Sequence, residues 1–381
     1  MTKLFNILQS AYRFTHNSIV FFLAIYLAQI GLSGTQIGMI FAARTITSLL
    51  FTLPSGLGND RFQSKTILQV GLILTIINYL VLAKTQSFPL LLIAFFIGGI
   101  GMNMSGISLD SIFYKTTGEK NKLKSVKEYV STFLLFCGLG VLFSGNILAY
   151  IDFPKYLLIC CGILTLITFG SIFLQKTGKF TLEIDDYKKD ISQPLVLIFM
   201  GIIFLFAIHM GAELTSYSPF LKETLHLSLR QIGFYIGTAT SLMFIWTKLA
   251  AKAIEKGINI KKIVATSLIL STVGFLIMLT PIIWVSFTGR IIHEAGDAGM
   301  FVFIYAGVSK FFEQKTIGGL SSLIQLIQAT AIFAGSLAFG PLGSKFGHQV
   351  PIVISSITTL LALFLLEAYE KQYKKRKESS T

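Results

Sequence analysis

The stretch "GLSGTQIG" (residues 31–38) returns as "HLSLRQIG" (residues 226–233). Leu32, Ser33, Gln36, Ile37 and Gly38 recur 195 residues later as Leu227, Ser228, Gln231, Ile232 and Gly233. The same offset carries Asp60–Arg61 onto Glu255–Lys256, and Gly140 and Gly145 onto Gly335 and Gly340. One short match means little. Three at a single offset, at matching places in the chain, describe an internal duplication.

What is duplicated is apolar. Hydrophobic residues make up 53% of the 381 and charged residues only 13%, against about 25% charged in soluble domains. Twelve apolar blocks lie near residues 10–31, 36–57, 66–84, 88–112, 128–150, 156–175, 194–216, 230–252, 262–280, 282–309, 317–341 and 349–368. As helices they match the hydrocarbon thickness of a bilayer. Only "LTPI" separates the ninth from the tenth. The expected fold is an all-α membrane protein with twelve transmembrane helices in two pseudo-symmetric six-helix bundles. The repeat length spans six predicted helices, so the two copies share one orientation, with a pseudo-axis along the membrane normal. The expected domains are a first bundle over 1–176, a cytoplasmic linker over 177–192, a second bundle over 193–370 and a basic cytoplasmic tail over 371–381.

The net charge of +14 does not indicate a nucleic-acid partner. Its basic residues crowd into alternate gaps, notably Lys115 to Lys127, Lys248 to Lys262 and Lys371 to Lys377. The opposite gaps hold Lys84, Lys155, Lys222, Arg230 and Lys345. This is the positive-inside pattern, which places both termini in the cytoplasm of a multi-pass cell-membrane protein. The first block is long and follows polar residues, so it is expected to be a retained span with no cleavable signal peptide. Cys137, Cys160 and Cys161 lie within apolar blocks and are expected to pack, not to form disulfides or ligate metal. No G-x-x-x-x-G-K-[ST] loop occurs, and no nucleophile set stands out. The chain is therefore expected to be no enzyme, to have no catalytic residue and to need no cofactor. Its expected partners are a small-molecule solute, protons and the lipid bilayer, with the protein a monomer.

Between the second and third blocks stands "GLGNDRFQSK" (56–65). It resembles the signature G-x-x-x-D-R-x-G-R-[RK] of the major facilitator superfamily: Gly56, Asp60, Arg61 and Lys65 match, while Gln63 and Ser64 replace the expected glycine and arginine. "GPLGSKFGH" (340–348) resembles a degraded copy, with Ser344 where an acid is often found. The resemblance, of the prokaryotic twelve-helix type, implies a secondary transporter working by alternating access. It also implies a gating role for Asp60 and Arg61, and a central cavity lined by the first, fourth, seventh and tenth spans. Physically, Asp60 can pair with Arg61 or Lys65, or meet the N-terminus of a neighbouring helix. Asp110 and Glu128 fall on the same side of the membrane, so Asp60, Arg61, Lys65, Asp110 and Glu128 are candidates for a latch at the inner gate. The alternative is a solvated charge fringe that only fixes topology; exposed pairs contribute about 0–1 kcal/mol each.

The tenth block carries "GRIIHEAGDAGM" (289–300). On a helical wheel Arg290, His293, Glu294 and Asp297 share one face about 100° wide. Intramembrane ionisable groups are expensive and mark solute or proton sites by default. The competing possibility is a buried ionic network that only pins the helix. In the seventh block His209 and Glu213 are one turn apart, and Tyr217 continues their face. From the first block Asn17 is a further candidate, with Arg13 and His16 near it. Arg44 calls for an acid that the sequence does not identify. Gln325 and Gln328 serve either solute or neighbouring helices. The candidate solute- and proton-binding set is therefore His209, Glu213, Tyr217, Arg290, His293, Glu294, Asp297 and Asn17. The pairs His209/Glu213 and His293/Asp297 have metal-ligand spacing, yet no metal site is expected unless the fold brings them together. The acids outnumber Arg290, which favours a cationic or zwitterionic solute over an organic anion held by Arg290; the chain also resembles compact prokaryotic exporters, which implies an exporter or antiporter of a drug-like molecule or metabolite. A proton-coupled uptake symporter of a sugar, peptide or organic acid is the alternative, and a nontransporting membrane sensor or scaffold a distant one.

Overall fold

The computed structural model describes residues 3–118, 122–181 and 183–378. Among them the chain is helical throughout: α1 (Lys3–Gln29), α2 (Gly34–Arg61), α3 (Ser64–Lys84), α4 (Phe88–Thr116), α5 (Lys122–Ile147), α6 (Phe153–Ser171), a short α7 (Ile184–Ile191), α8 (Pro194–Ala212), α9 (Leu229–Glu255), α10 (Ile260–Ile277), α11 (Ile283–Phe311), α12 (Ile317–Phe346), α13 (Gln349–Leu361) and α14 (Leu363–Glu378). By length and composition, 10 helices are apolar enough to cross a membrane. The 27-residue α1 and α9 stand where the first and eighth spans were expected and fall outside that set. Polar side chains dilute α1: Gln9, Ser10, Arg13, Thr15, His16, Asn17 and Ser18 all lie in it. The break expected at "LTPI" is present, between Ile277 and Ile283.

The connecting segments carry helix of their own. Ile184–Ile191 is helical, opening on Asp185 and Asp186 and closing on Lys188 and Lys189. That order of charges complements the helix dipole. At the other end α14 continues through Lys371 to Glu378. Glu370 anchors this extension: Asn259 donates to its carboxylate at 2.8 Å and Lys261 lies 3.2 Å away.

The chain divides into two compact units, one of Met1–Glu119, Phe136–Glu183 and Glu313–Leu326, the other of Lys120–Leu135, Ile184–Phe312 and Ile327–Thr381. Within the first, α3 packs on α4 and α6, α2 on α4, and α1 on α6. Within the second, α10 packs on α11 and α13, α9 on α11, and α8 on α13. Shifted by the repeat, these are the same neighbours.

The duplicated octapeptide has a local physical meaning. Ser33 and Ser228 are the N-caps of α2 and α9, each accepting from the backbone N–H three residues on. Gln36 and Gln231 reach back to the cap N–H, closing a capping box in both copies. This satisfies two otherwise orphaned donors where a helix enters the bilayer. Gly140 and Gly335 also play equivalent parts. A Cβ on Gly140 would press into the backbone carbonyl of Phe14 in α1, and one on Gly335 into that of Ile208 in α8. Small residues at such crossings let helices meet where lipid supplies little driving force. Outward faces carry large exposed apolar side chains, including Leu166, Phe169, Trp284 and Phe364. That is the surface a bilayer covers.

Candidate functional site

The second unit buries the ionisable groups that the sequence marked. Arg290, His293, Glu294 and Asp297 all point inward from α11 and are almost fully buried. Gly296 makes this possible on the side of α10: a Cβ there would sit 2.8 Å from the Ser271 Cα, so only glycine lets the two helices approach so closely. Ser271 thereby reaches α11, donating from its Oγ to Asp297 Oδ1 at 2.7 Å.

Opposite, α8 leaves regular α-helical bonding at Glu213. Residues Glu213–Tyr217 form one π-helical turn and Phe220–Thr224 a second. Pro219, between them, has no N–H to give to the ladder, which favours the change of register. Single π turns recur at functional sites because they re-aim side chains. Here the turn begins at the carboxylate that enters the cluster.

Arg290 is the hub. Its Nη1 bonds Glu213 Oε1, its Nη2 lies 2.7 Å from Glu294 Oε1, and its guanidinium stands 4.6 Å from the centre of the Tyr217 ring. Thr240 of α9 donates to Glu294 Oε1 at 2.9 Å. Tyr235, also of α9, shares a 2.7 Å hydrogen bond with Ser286. The histidines form the other end. His209 Nε2 lies 3.4 Å from Asp297 Oδ2, and His293 Nε2 lies 3.5 Å from the same oxygen and 3.2 Å from Glu213 Oε1. The His293 Nε2 contacts fall outside hydrogen-bonding geometry, close as they are. With neutral histidines the formal charge of Glu213, Glu294, Asp297 and Arg290 together is −2.

Seven of the eight sequence candidates thus meet: His209, Glu213, Tyr217, Arg290, His293, Glu294 and Asp297. The eighth is Asn17. It belongs to the first unit, where its amide donates to Arg13 O at 2.9 Å and contacts Cys137 Sγ at 3.1 Å. Both expected i,i+4 pairs on α11 form. Thr240 and Ser271 were missed, because a lone hydroxyl in an apolar helix carries no pattern. The first unit has its own polar interior. Arg13 Nη2 lies 3.2 Å from Asp110 Oδ1, Gln325 donates to Asp110 Oδ2 at 2.9 Å, and Arg44 Nη2 lies 3.3 Å from His16 Nε2. Arg44 therefore meets a histidine where an acid was expected.

The five latch candidates do not form one cluster. Asp60 takes the third of its expected options: Gly318 N–H donates to its Oδ1 at 2.9 Å and Gly319 N–H to its Oδ2 at 2.6 Å, at the N-terminus of α12. Lys115 Nζ lies 3.2 Å from its Oδ1. Arg61 is exposed beside the Phe62 ring. Lys65 donates to the carbonyls of Ile172 and Leu174 at 2.9 and 3.1 Å. Asp110 is held by Arg13 and Gln325. Glu128 belongs to the second unit, 3.7 Å from Lys248. A buried carboxylate outbids an exposed partner when backbone amides and a helix dipole are available, which separates Asp60 from its sequence neighbours.

Comparison with known proteins adds the following. The family model described as Major Facilitator Superfamily matches residues 5–260. A stretch of 88 residues is 31% identical to Quinolone resistance protein NorA of Staphylococcus aureus, covering 23% of this chain and 23% of that protein. The crystal structure of the human organic anion transporter MFSD10 (TETRAN) is similar with a TM-score of 0.73 at 16% identity, covering 95% of this chain and 97% of that one. A bacterial homologue of the iron transporter ferroportin, in its outward-facing state, is similar with a TM-score of 0.73 at 14% identity, covering 97% and 98%. At these identities the two structures speak for the fold alone.

Proposed function

The chain belongs to the Major Facilitator Superfamily of membrane transporters, and from that premise we propose that it exports a small cationic or zwitterionic solute in exchange for protons, by alternating access. The observation that carries this reading is a cluster of the buried Arg290, Glu294 and Asp297 with the half-buried Glu213, in helices apolar enough to cross a membrane. A static interface would pack about as well with apolar residues, so retaining four charges there favours a working site. A proton and the positive charge of a solute are alternative ways of neutralising the same carboxylates. The groups facing them are His209 and Tyr217 from the α8 side, Arg290 and His293 on α11, Thr240 on α9 and Ser271 on α10. Export of a drug-like molecule is favoured over uptake by the stretch shared with a quinolone resistance protein.

The remaining features of this reading are twelve spans in two six-helix bundles, over 1–176 and 193–370, with both termini cytoplasmic in the cell membrane, and a monomer as the working unit. The helices α1 and α9 supply the two spans that composition alone leaves out. Asp60, held by Lys115 and the first amides of α12, is the gating carboxylate.

The test is flux. Proteoliposomes with an imposed pH gradient should move a fluorescent lipophilic cation against its gradient. Glu213→Gln and Asp297→Asn should each abolish gradient-driven accumulation. Accumulation at the unaltered rate in both variants would defeat the proposal.

A further inference from the structure

We propose that the cluster in the second unit is also a binding site for one divalent first-row transition-metal ion, ligated by His209 Nε2, His293 Nε2, Glu213 Oε1 and Asp297 Oδ2. One donor atom from each of these four residues lies within 4.8 Å of the other three. A tetrahedral ion with bonds of about 2.0–2.1 Å has ligand-to-ligand edges of roughly 3.3–3.4 Å. Three of the edges are already there: 3.2 Å from His293 to Glu213, 3.5 Å from His293 to Asp297 and 3.4 Å from His209 to Asp297.

The orientation of both imidazoles is the second argument. His209 Nδ1 is bonded to the Phe206 carbonyl, and His293 Nδ1 to the Ser271 carbonyl at 2.7 Å. Each ring is thereby fixed with Nδ1 on a carbonyl and Nε2 turned toward the carboxylates, so that in the neutral ring Nε2 is the nitrogen offered to an ion; at His209 the ion would replace the 3.4 Å hydrogen bond to Asp297 Oδ2. That is how an outer shell prepares a histidine for metal. His293 is fully buried, and its Nε2 makes no hydrogen bond of good geometry although the Glu213 and Asp297 carboxylates lie 3.2 and 3.5 Å from it. A buried imidazole nitrogen left in this way calls for a ligand.

The remaining surroundings fit. Ser271 occupies Asp297 Oδ1 and leaves Oδ2 facing the histidines. Arg290 orients the Glu213 carboxylate. Phe275 stacks on His293 with ring centres 4.5 Å apart, and Phe206 meets His209 edge-on at 4.7 Å, giving an apolar wall. The formal charge of −2 is what a dication neutralises. Two imidazoles and two carboxylates suit Zn²⁺, Co²⁺ or Fe²⁺, whereas Mg²⁺ and Ca²⁺ demand all-oxygen shells and Cu⁺ prefers sulfur. The ligands come as two His-x-x-x-acid pairs, one ending on the π turn that follows α8 and the other within α11. This inference stands independently of proton coupling, since it rests only on donor geometry.

The experiment uses Co²⁺ with purified full-length protein from which the affinity tag has been removed. The expected result is one equivalent bound, with the intense visible d–d absorption of a low-coordinate ion. His209→Ala and His293→Ala should each weaken binding at least about tenfold and bleach that absorption. The double variant His226→Ala/His348→Ala, which removes two histidines outside the cluster, should leave it intact. X-ray absorption of the Zn²⁺-loaded wild type gives an arm independent of any variant's folding and should show two imidazoles in the first shell. Absence of stoichiometric Co²⁺ binding overturns the proposal. So does binding that survives both alanine changes or is lost with His226 and His348, or a Zn²⁺ shell made of oxygen alone. The flux assay above contains no transition metal, so failure of the one does not imply failure of the other.

Discussion

The two units repeat one scaffold around different chemistry. In the first, the polar interior holds the guanidinium of Arg13 on the carboxylate of Asp110 and that of Arg44 on His16. In the second, the carboxylates of Glu213 and Glu294 hold the guanidinium of Arg290, and Asp297 lies beside two histidines. Helix caps, helix neighbours and glycine crossings are shared across the repeat, while the charged groups differ. Scaffold and site therefore answer to different constraints. The caps and crossings satisfy backbone groups and sterics that any membrane bundle must meet. The charges are not needed for packing, and their asymmetry makes the second unit the candidate for cation and proton handling.

The largest expected difference lies at the two hubs. Arg290→Met leaves Glu213 and Glu294 buried without their cation and should cost about 3–5 kcal/mol. Arg13→Met should cost less, about 1.5–3 kcal/mol, because Gln325 remains on Asp110. Chemical unfolding in detergent compares them; equal losses would remove the asymmetry. Next come the acids at the repeated ends of α2 and α9. Asp60 is buried on two backbone amides, whereas Glu255 is partly exposed and meets Lys127 at 2.8 Å. Asp60→Asn should cost about 1.5–3 kcal/mol and Glu255→Gln about 0–1 kcal/mol in the same assay. The smallest effects belong to the shared caps. Ser33→Ala and Ser228→Ala should each cost about 1 kcal/mol, and by nearly the same amount. A large difference between the caps would show that the duplicated octapeptide no longer does the same job in both units.

What was legible in the sequence was local or periodic. Block length reveals spans, Ser-x-x-Gln reveals a capping box, and the spacing of Arg290, His293, Glu294 and Asp297 reveals one helix face. Contacts between helices left no such trace. Nothing in the chain around Asp60 points to Lys115, and its adjacent basic residues suggest the wrong partners. Ser271 and Thr240 look like any hydroxyl in an apolar helix until α10 and α9 bring them to Asp297 and Glu294. The π turn at Glu213 was equally hidden, because Pro219 signals a disturbance but not the register that results. Asn17 illustrates the converse: an intramembrane polar residue can be occupied by its own helix and a nearby thiol.

The most direct test of where exchange occurs is proton release on binding. Weakly buffered detergent solutions of the protein, with a pH indicator, are mixed with a lipophilic cation that the wild type transports. The account predicts protons released by wild type and by Asp110→Asn, with release lost in Asp297→Asn. Release that persists in Asp297→Asn and disappears in Asp110→Asn would contradict it.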